Sequence, residues 1–213
     1  MPYRVKEIFA SLQGEGVNAG RPAVFCRFSG CNLWSGREAD RAQAACPLCD
    51  TDFVGTDGPG GGVFDSAAHL AEAIEETWRA ETADTAHRLA VLTGGEPLLQ
   101  ADAALLDQLR GRGFFVAVET NGTVATTLAL DWLCVSPKAG TTLALRSGDE
   151  LKLVHPQAGL APEACEHLNF RHFVLQPRAG PELERNTRLC LEYCLKNPRW
   201  RLGLQLHTIL GIP

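Results

Sequence analysis

"RLAVLTGGEPLLQADAALLDQLRGRG" (Arg88–Gly113) carries the architecture in miniature. Its first seven residues are a short, nearly continuous apolar run, the pattern of a strand buried on both faces. A glycine pair follows. From Pro97 to Gly113 the apolar residues recur at helical spacing until glycine ends the run, which predicts one amphipathic helix. Strand, tight turn and helix make one unit of an α/β sheet.

The same alternation extends in both directions. "YRVKEIFAS" (Tyr3–Ser11) and "PAVFCRFS" (Pro22–Ser29) read as strands, the second with Val24, Cys26 and Phe28 on one face and Phe25 and Arg27 on the other. "DSAAHLAEAIEETWRAE" (Asp65–Glu81) reads as a helix capped by Asp65 or Ser66, with Leu70, Ile74 and Trp78 at helical spacing. "FFVAVETNG", "DWLCVSPK", "ELKLVHP" and "FRHFVLQP" are further short strands. "PELERNTRLCLEYCLKN" (Pro181–Asn197) is the last helix, and "WRLGLQLHTIL" (Trp200–Leu210) is read as the last strand. "VGTDGPGGGVFD" (Val54–Asp65) reads as a loop or hairpin tip. The expected fold class is α/β: a partial, open β/α barrel with mostly parallel strands, since some connections are too short to hold a helix. Ligand sites in such sheets form at the carboxyl ends of strands. Here those ends carry Thr93–Glu96, Glu119–Asn121, Ser136–Lys138 and Gln176–Pro177.

Composition narrows the class. The chain has 213 residues, 45% hydrophobic and 21% charged, which suits a single domain over residues 1–213. A net charge of −5 without any lysine or arginine run argues against nucleic-acid backbone binding. The first residues hold lysine and glutamate where a signal peptide needs an apolar core, and no run is long enough to span a bilayer. A cytoplasmic enzyme without a membrane or nucleic-acid partner is the expectation. Eight cysteines in a reducing compartment then point to metal or catalysis.

Three of them, Cys31, Cys46 and Cys49, share a loop over about residues 30–53. With Cys26 they have the spacing of a closed zinc site. Against that, Cys26 sits mid-strand beside Val24 and Phe28, where a small apolar residue fits. Three thiolates alone leave one iron of an iron–sulfur cluster open to a ligand. Spacing leaves both readings standing. Cys134, Cys165, Cys190 and Cys194 read as packing residues, and His155, His172 and His207 as structural, with His207 nearest a C-terminal pocket.

"LTGGEPLLQ" following a three-cysteine loop resembles the radical S-adenosylmethionine superfamily. Its members bind a [4Fe-4S] cluster through three cysteines and contact the methionyl amine with a G-G-E-P turn, matched here by Gly94–Pro97. The superfamily's usual C-x3-C-x2-C spacing is stretched here to C-x14-C-x2-C. Loop-closure cost rises slowly with length, so the insert is tolerable; "GREADRAQAA" within it is expected to be partly helical and to fold over the exterior. "FASLQGEG", "CPLCDTDF", "VETNG", "VSPK" and the terminal "LQLHTILGIP" are similar to the 7-carboxy-7-deazaguanine synthase family, in family order and over nearly the whole chain.

That resemblance implies a ring contraction of 6-carboxy-5,6,7,8-tetrahydropterin with loss of ammonia, using a cluster, S-adenosylmethionine and Mg²⁺. It implies Cys31, Cys46 and Cys49 as cluster ligands and Thr51 as a Mg²⁺ ligand. It places Leu48, Cys49, Asp50, Gly95, Glu119, Ser136, Pro137, Lys138, Gln176, Pro177, Arg178 and Ala179 around S-adenosylmethionine. Leu12, Gln13, Gly14, Arg27, Thr93 and Pro213 are expected around the pterin, with Arg27 facing its carboxylate. A bland reading stands beside this one: Arg27 as a surface ion-pair residue, and Glu96 as a residue that holds its turn rather than touching a ligand. A homodimer and an electron donor such as flavodoxin are also expected. The alternatives are a glycyl-radical activase and a structural four-cysteine zinc module.

Overall fold

A computed structural model describes residues 2–213. Nine strands form one sheet: β1 (Tyr3–Leu12), β2 (Pro22–Phe28), β3 (Gly62–Phe64), β4 (Leu89–Gly94), β5 (Phe115–Thr120), β6 (Trp132–Val135), β7 (Ser147–His155), β8 (Asn169–Pro177) and β9 (Trp200–Leu202). The order across the sheet is β3-β1-β2-β4-β5-β6-β7-β8-β9. β1 pairs antiparallel with β2 and β3, and every pairing from β2 to β9 is parallel. β3 and β9 are free edges, so the barrel is open, as expected. The stretches 121–131 and 136–146, which join β5 to β6 and β6 to β7, hold no helix.

Helices α1 (Ala67–Glu81) and α2 (Ala103–Gly111) cover one half of the outer face. Leu70, Ile74 and Trp78 of α1 and Leu105, Leu106 and Leu109 of α2 are buried against Val24, Cys26, Phe28, Leu92, Val116 and Val118. α3 (Leu183–Lys196) lies over β8 and β9, where Cys190 and Cys165 join Leu151, Leu153, Phe173, Leu175 and Trp200 in a second apolar cluster. Burial of each such leucine or isoleucine contributes about 2 kcal/mol. Ser66, not Asp65, caps α1, accepting from the His69 amide at 3.3 Å.

Three local expectations are corrected. The predicted helix over Pro97–Gly113 is two pieces, a 3-10 turn at Pro97–Leu99 and then α2. Asp102 is the reason: its side chain caps α2 by accepting from the Leu105 amide at 2.9 Å, and the Tyr3 hydroxyl donates to the same oxygen at 2.7 Å. The predicted strand over Trp200–Leu210 ends at Leu202, and Leu206–Leu210 forms a fourth, one-turn helix, α4. Gly211, at φ +66, closes it as a left-handed C-cap. The glycine-rich stretch over Val54–Asp65 ends in an edge strand, β3, rather than remaining loop throughout.

Candidate functional site

The inner face of the sheet and the loops at its carboxyl edge enclose a cavity of about 690 Å³. That size suits a small-molecule site. The loop after β2 brings Cys31, Cys46 and Cys49 to its wall. The Leu33 amide donates to Cys31 Sγ at 3.4 Å. Burial pushes the Cys31 and Cys49 thiols up, with nearby backbone amides opposing. The loop is braced on both sides. Lys6 of β1 pairs with Asp52 at 3.0 Å and Asp57 at 2.8 Å. Asn121 donates to Asn32 at 3.0 Å, which itself donates to Thr123 at 2.8 Å.

The glycine turn after β4 packs directly on this loop. A Cβ at Gly95 would lie 2.0 Å from the Gly30 carbonyl oxygen, and one at Gly94, where φ is +124, 2.3 Å from that of Phe28. Only glycine fits either place. The Gly95 amide donates to Phe28 at 3.2 Å and the Glu96 amide to Gly30 at 2.9 Å. These two amides are therefore not free for a ligand. They are spent tying the turn to the cysteine loop, and Pro97 has none, so carbonyl oxygens remain for a ligand. Glu96 is fully buried and holds the turn, accepting from Thr120 Oγ1 at 2.7 Å and from the amides of Asn121 and Leu98 at 2.9 and 3.0 Å. Burial raises its pKa against these donors. It does not reach the cavity wall.

One wall of the cavity is a buried polar knot; sequence reasoning named its Gln13, Glu119 and Gln176 as ligand contacts and missed Glu15, Lys152 and Gln205. Glu15 pairs with Lys152, and its other oxygen accepts from Gln205 at 2.8 Å and Gln176 at 3.0 Å. Lys152 also reaches Glu119 at 3.3 Å, and Glu119 accepts from Gln13 at 2.9 Å. Burial pushes the Glu15 carboxyl up, but Lys152 and the two amides override it and hold it at about 2. Glu119 and Glu15 hold Lys152 charged well above the ordinary lysine value against its own burial. Segments far apart in sequence meet here, which is why no local pattern revealed it. Cys134, read as inert packing, also lines the cavity beside this knot.

The C-terminal helix seats on the loop after β1 that carries Glu15. The Leu206 amide donates to the Gly14 carbonyl at 2.9 Å, a Cβ on Gly14 would strike His207, and Ser11 donates to the Pro213 carbonyl at 2.7 Å. Arg27 lies level with Thr93 across β2 and β4. Its Nε donates to Glu7 at 2.7 Å, and its terminal nitrogens have no protein partner among the described residues. The ion-pair reading and the ligand-facing reading of Arg27 thus describe one arrangement. Phe9 and Phe25 stack 5.2 Å apart beside it.

Of the residues expected around cluster, S-adenosylmethionine, metal and pterin, all but one line this cavity. The exception is Pro137, whose carbonyl accepts from Gln157 Nε2 at 3.2 Å beneath the surface. His207 is on the wall; His172 instead stacks on Trp132 at 5.8 Å, and His155 stays outside the cavity.

The donor set fits a cluster better than a single ion. Among the described residues no three His, Cys, Asp or Glu side chains are gathered around a point where one metal ion would sit. Cys26, needed as a fourth zinc ligand, is fully buried in the apolar layer between sheet and helices. Three soft thiols spread along one wall match a cluster, whose irons hold their cysteines farther apart than a lone ion does. An open parallel sheet with three such cysteines after its second strand, locked to a glycine turn after the next parallel strand, is the arrangement that the resemblance to radical S-adenosylmethionine enzymes implies.

Comparison with known proteins narrows this class. The chain is 60% identical to a 7-carboxy-7-deazaguanine synthase of Bradyrhizobium diazoefficiens and 58% to one of Bordetella pertussis, each alignment covering 100% of both chains. The crystal structure of QueE from Escherichia coli superposes with a TM-score of 0.70 at 28% identity, covering 97% of this chain and 95% of that one. The chain belongs to the 7-carboxy-7-deazaguanine synthase family, and is an enzyme, a radical S-adenosylmethionine lyase of deazapurine and queuosine biosynthesis. No family model matches it. The zinc-module and activase alternatives fall with this assignment. No helix among the described residues is long and apolar enough to cross a membrane.

Proposed function

We propose that this chain contracts 6-carboxy-5,6,7,8-tetrahydropterin to 7-carboxy-7-deazaguanine, with loss of ammonia, inside the cavity described above. The observation that carries this reading is convergence: three cysteines, the glycine turn and an arginine with unpartnered terminal nitrogens share one cavity. Cys31, Cys46 and Cys49 would hold a [4Fe-4S] cluster, which together with S-adenosylmethionine would supply the radical chemistry of the ring contraction.

The chain supplies binding, orientation and exclusion of water. Carbonyl oxygens of the Gly94–Gly95 turn accept from the methionyl ammonium, since the Gly95 and Glu96 amides are already spent. Lys138, held by donating to Ser136 Oγ at 2.7 Å, faces the methionyl carboxylate. Glu119, Ser136 and Gln176 address the ribose, while Leu48, Cys49, Asp50 and Pro177 to Ala179 wall the nucleoside. Arg27 takes the pterin carboxylate through its terminal nitrogens. Backbone groups of Leu12 to Gly14, with Thr93 and Pro213, read the aminopyrimidine edge. Thr51 and neighbouring oxygens suit Mg²⁺, a hard ion that keeps waters. We further propose a cytoplasmic homodimer reduced by a flavodoxin-like donor.

Anaerobic reconstitution with iron and sulfide, followed by S-adenosylmethionine, reductant and the carboxytetrahydropterin, tests the reading by mass spectrometry. Formation of the carboxydeazaguanine, lost in Cys31→Ala, is the expected result. Production of 5′-deoxyadenosine without that product would move the substrate, and a colourless zinc protein would overturn the reading.

A further inference from the structure

The long insert between Cys31 and Cys46 does more than cover the exterior. Its 3-10 segment, Glu38–Gln43, buries no residue of its own, yet it aims one side chain inward. Arg41 Nη1 donates to the carbonyls of Pro47 at 2.9 Å and Cys49 at 2.8 Å. Nε donates to both oxygens of Glu38, at 2.9 and 2.8 Å, and the guanidinium plane lies 4.2 Å from the centre of the Trp34 ring. Trp34 packs edge-on against Phe53 at 5.7 Å and donates through Nε1 to the Arg37 carbonyl at 3.2 Å. The Ala45 amide returns to the Leu33 carbonyl at 3.0 Å, closing the insert's neck.

We propose that Arg41 is a positioning residue for the cluster: it latches the C-P-L-C turn onto Trp34 and fixes a permanent cation beside Cys49. The inference rests on the reading of Cys31, Cys46 and Cys49 as cluster ligands. The logic is steric and electrostatic. A loop with fourteen residues between its first two ligands has many ways to place the second pair, and a fixed fork with several donors removes them. Stacking on an aromatic face and binding two carbonyls of the ligand turn are tasks for a planar guanidinium, not a lysine ammonium. The Arg41 cation also offsets the Glu38 carboxylate beside the ligand turn, and removing it leaves that carboxylate uncompensated, which disfavours the reduced cluster because net charge near the irons helps set their potential. Arg41 is not on the cavity wall, so its effect passes through Pro47 and Cys49.

The test uses the full-length chain, reconstituted anaerobically, with Arg41→Ala and Arg41→Lys. Three quantities are measured: iron and sulfide per chain, the rate of iron release to a chelator, and the cluster midpoint potential by titration followed with electron paramagnetic resonance. Release from Arg41→Ala about tenfold faster than wild type or more, with a potential shifted negative, is expected, because outer-shell partners typically control 10–100-fold in metal retention. Arg41→Lys should release iron nearly as fast as the alanine variant while keeping a potential close to wild type, which separates the latch from the charge. Far-ultraviolet circular dichroism and melting of the iron-free proteins should be unchanged, since Arg41 bonds only within the loop. A fully loaded wild type whose two variants match it in release rate and potential overturns the inference alone. A wild type that takes up no cluster overturns the cysteine reading and this inference with it.

Discussion

Glu7 offers the sharpest test of how the substrate carboxylate is held. Its carboxylate fixes Arg27 through Nε at 2.7 Å, with both side chains about four-fifths buried, at 24% and 20% exposure. Two effects of opposite sign follow. A ligand carboxylate on the far edge of the guanidinium would be attracted by about 4 kcal/mol at about 4 Å, taking an effective dielectric of about 20. Glu7, about 7 Å from that carboxylate, would repel it by about 2 kcal/mol under the same dielectric. Glu7 therefore orients the guanidinium at the cost of part of its attraction. Glu7→Gln keeps an acceptor for Nε and removes the repulsion, so KM for the carboxypterin should stay level or fall. Glu7→Ala also removes the repulsion but frees the side chain, and lost orientation of a charged hydrogen bond, about 2 kcal/mol, should raise KM roughly tenfold or more relative to the glutamine variant. Anaerobic steady-state kinetics on both variants, with S-adenosylmethionine saturating, would read the split, and kcat should move less than KM. Equal KM values for the alanine and glutamine variants would refute the orienting role.

Three further outcomes are expected. Cys26→Ala should retain full iron after reconstitution and lose about 1 kcal/mol of stability in chemical denaturation, because its thiol only fills the core; iron lost from this variant would restore the four-ligand reading. Thr51→Ala should abolish stimulation of turnover by Mg²⁺ while leaving iron content intact, and an unchanged Mg²⁺ titration would remove Thr51 from the ion's shell. Glu15 has a folded pKa depressed below its unfolded value, so its contribution is fully present above about pH 5. That contribution should fade as pH drops from the ordinary value of 4.5 toward about 2. Melting curves across that range should show a shallower acid loss for Glu15→Gln than for wild type.

What local pattern could report, it reported. Leu70, Ile74 and Trp78 lie on the buried face of α1 as their spacing predicts, and Val24, Cys26 and Phe28 share the covered face of β2. The helix error at Pro97–Gly113 has a local cause, too, since Asp102 is a cap residue inside an apparently continuous apolar period. The strand read over Trp200–Leu210 failed for a tertiary reason. Beyond Gly203 the chain leaves the sheet because Gln205 donates to Glu15 and the Leu206 amide donates to Gly14, partners nearly two hundred residues away.

The same division runs through the site. Cysteine spacing, the glycine pair and the strand ends are short-range marks of chemistry, because each is one segment meeting one ligand; they pointed to part of the cavity wall, and the family resemblance supplied the other residues expected there. The Glu15–Lys152–Glu119 knot, the spent amides of the glycine turn, and the seat of Arg41 on Trp34 depend on which segments the sheet order brings together. Charges and amides carry no periodicity that predicts their partners. Their pairing is settled only when folding removes water from around them and each buried polar group must find another.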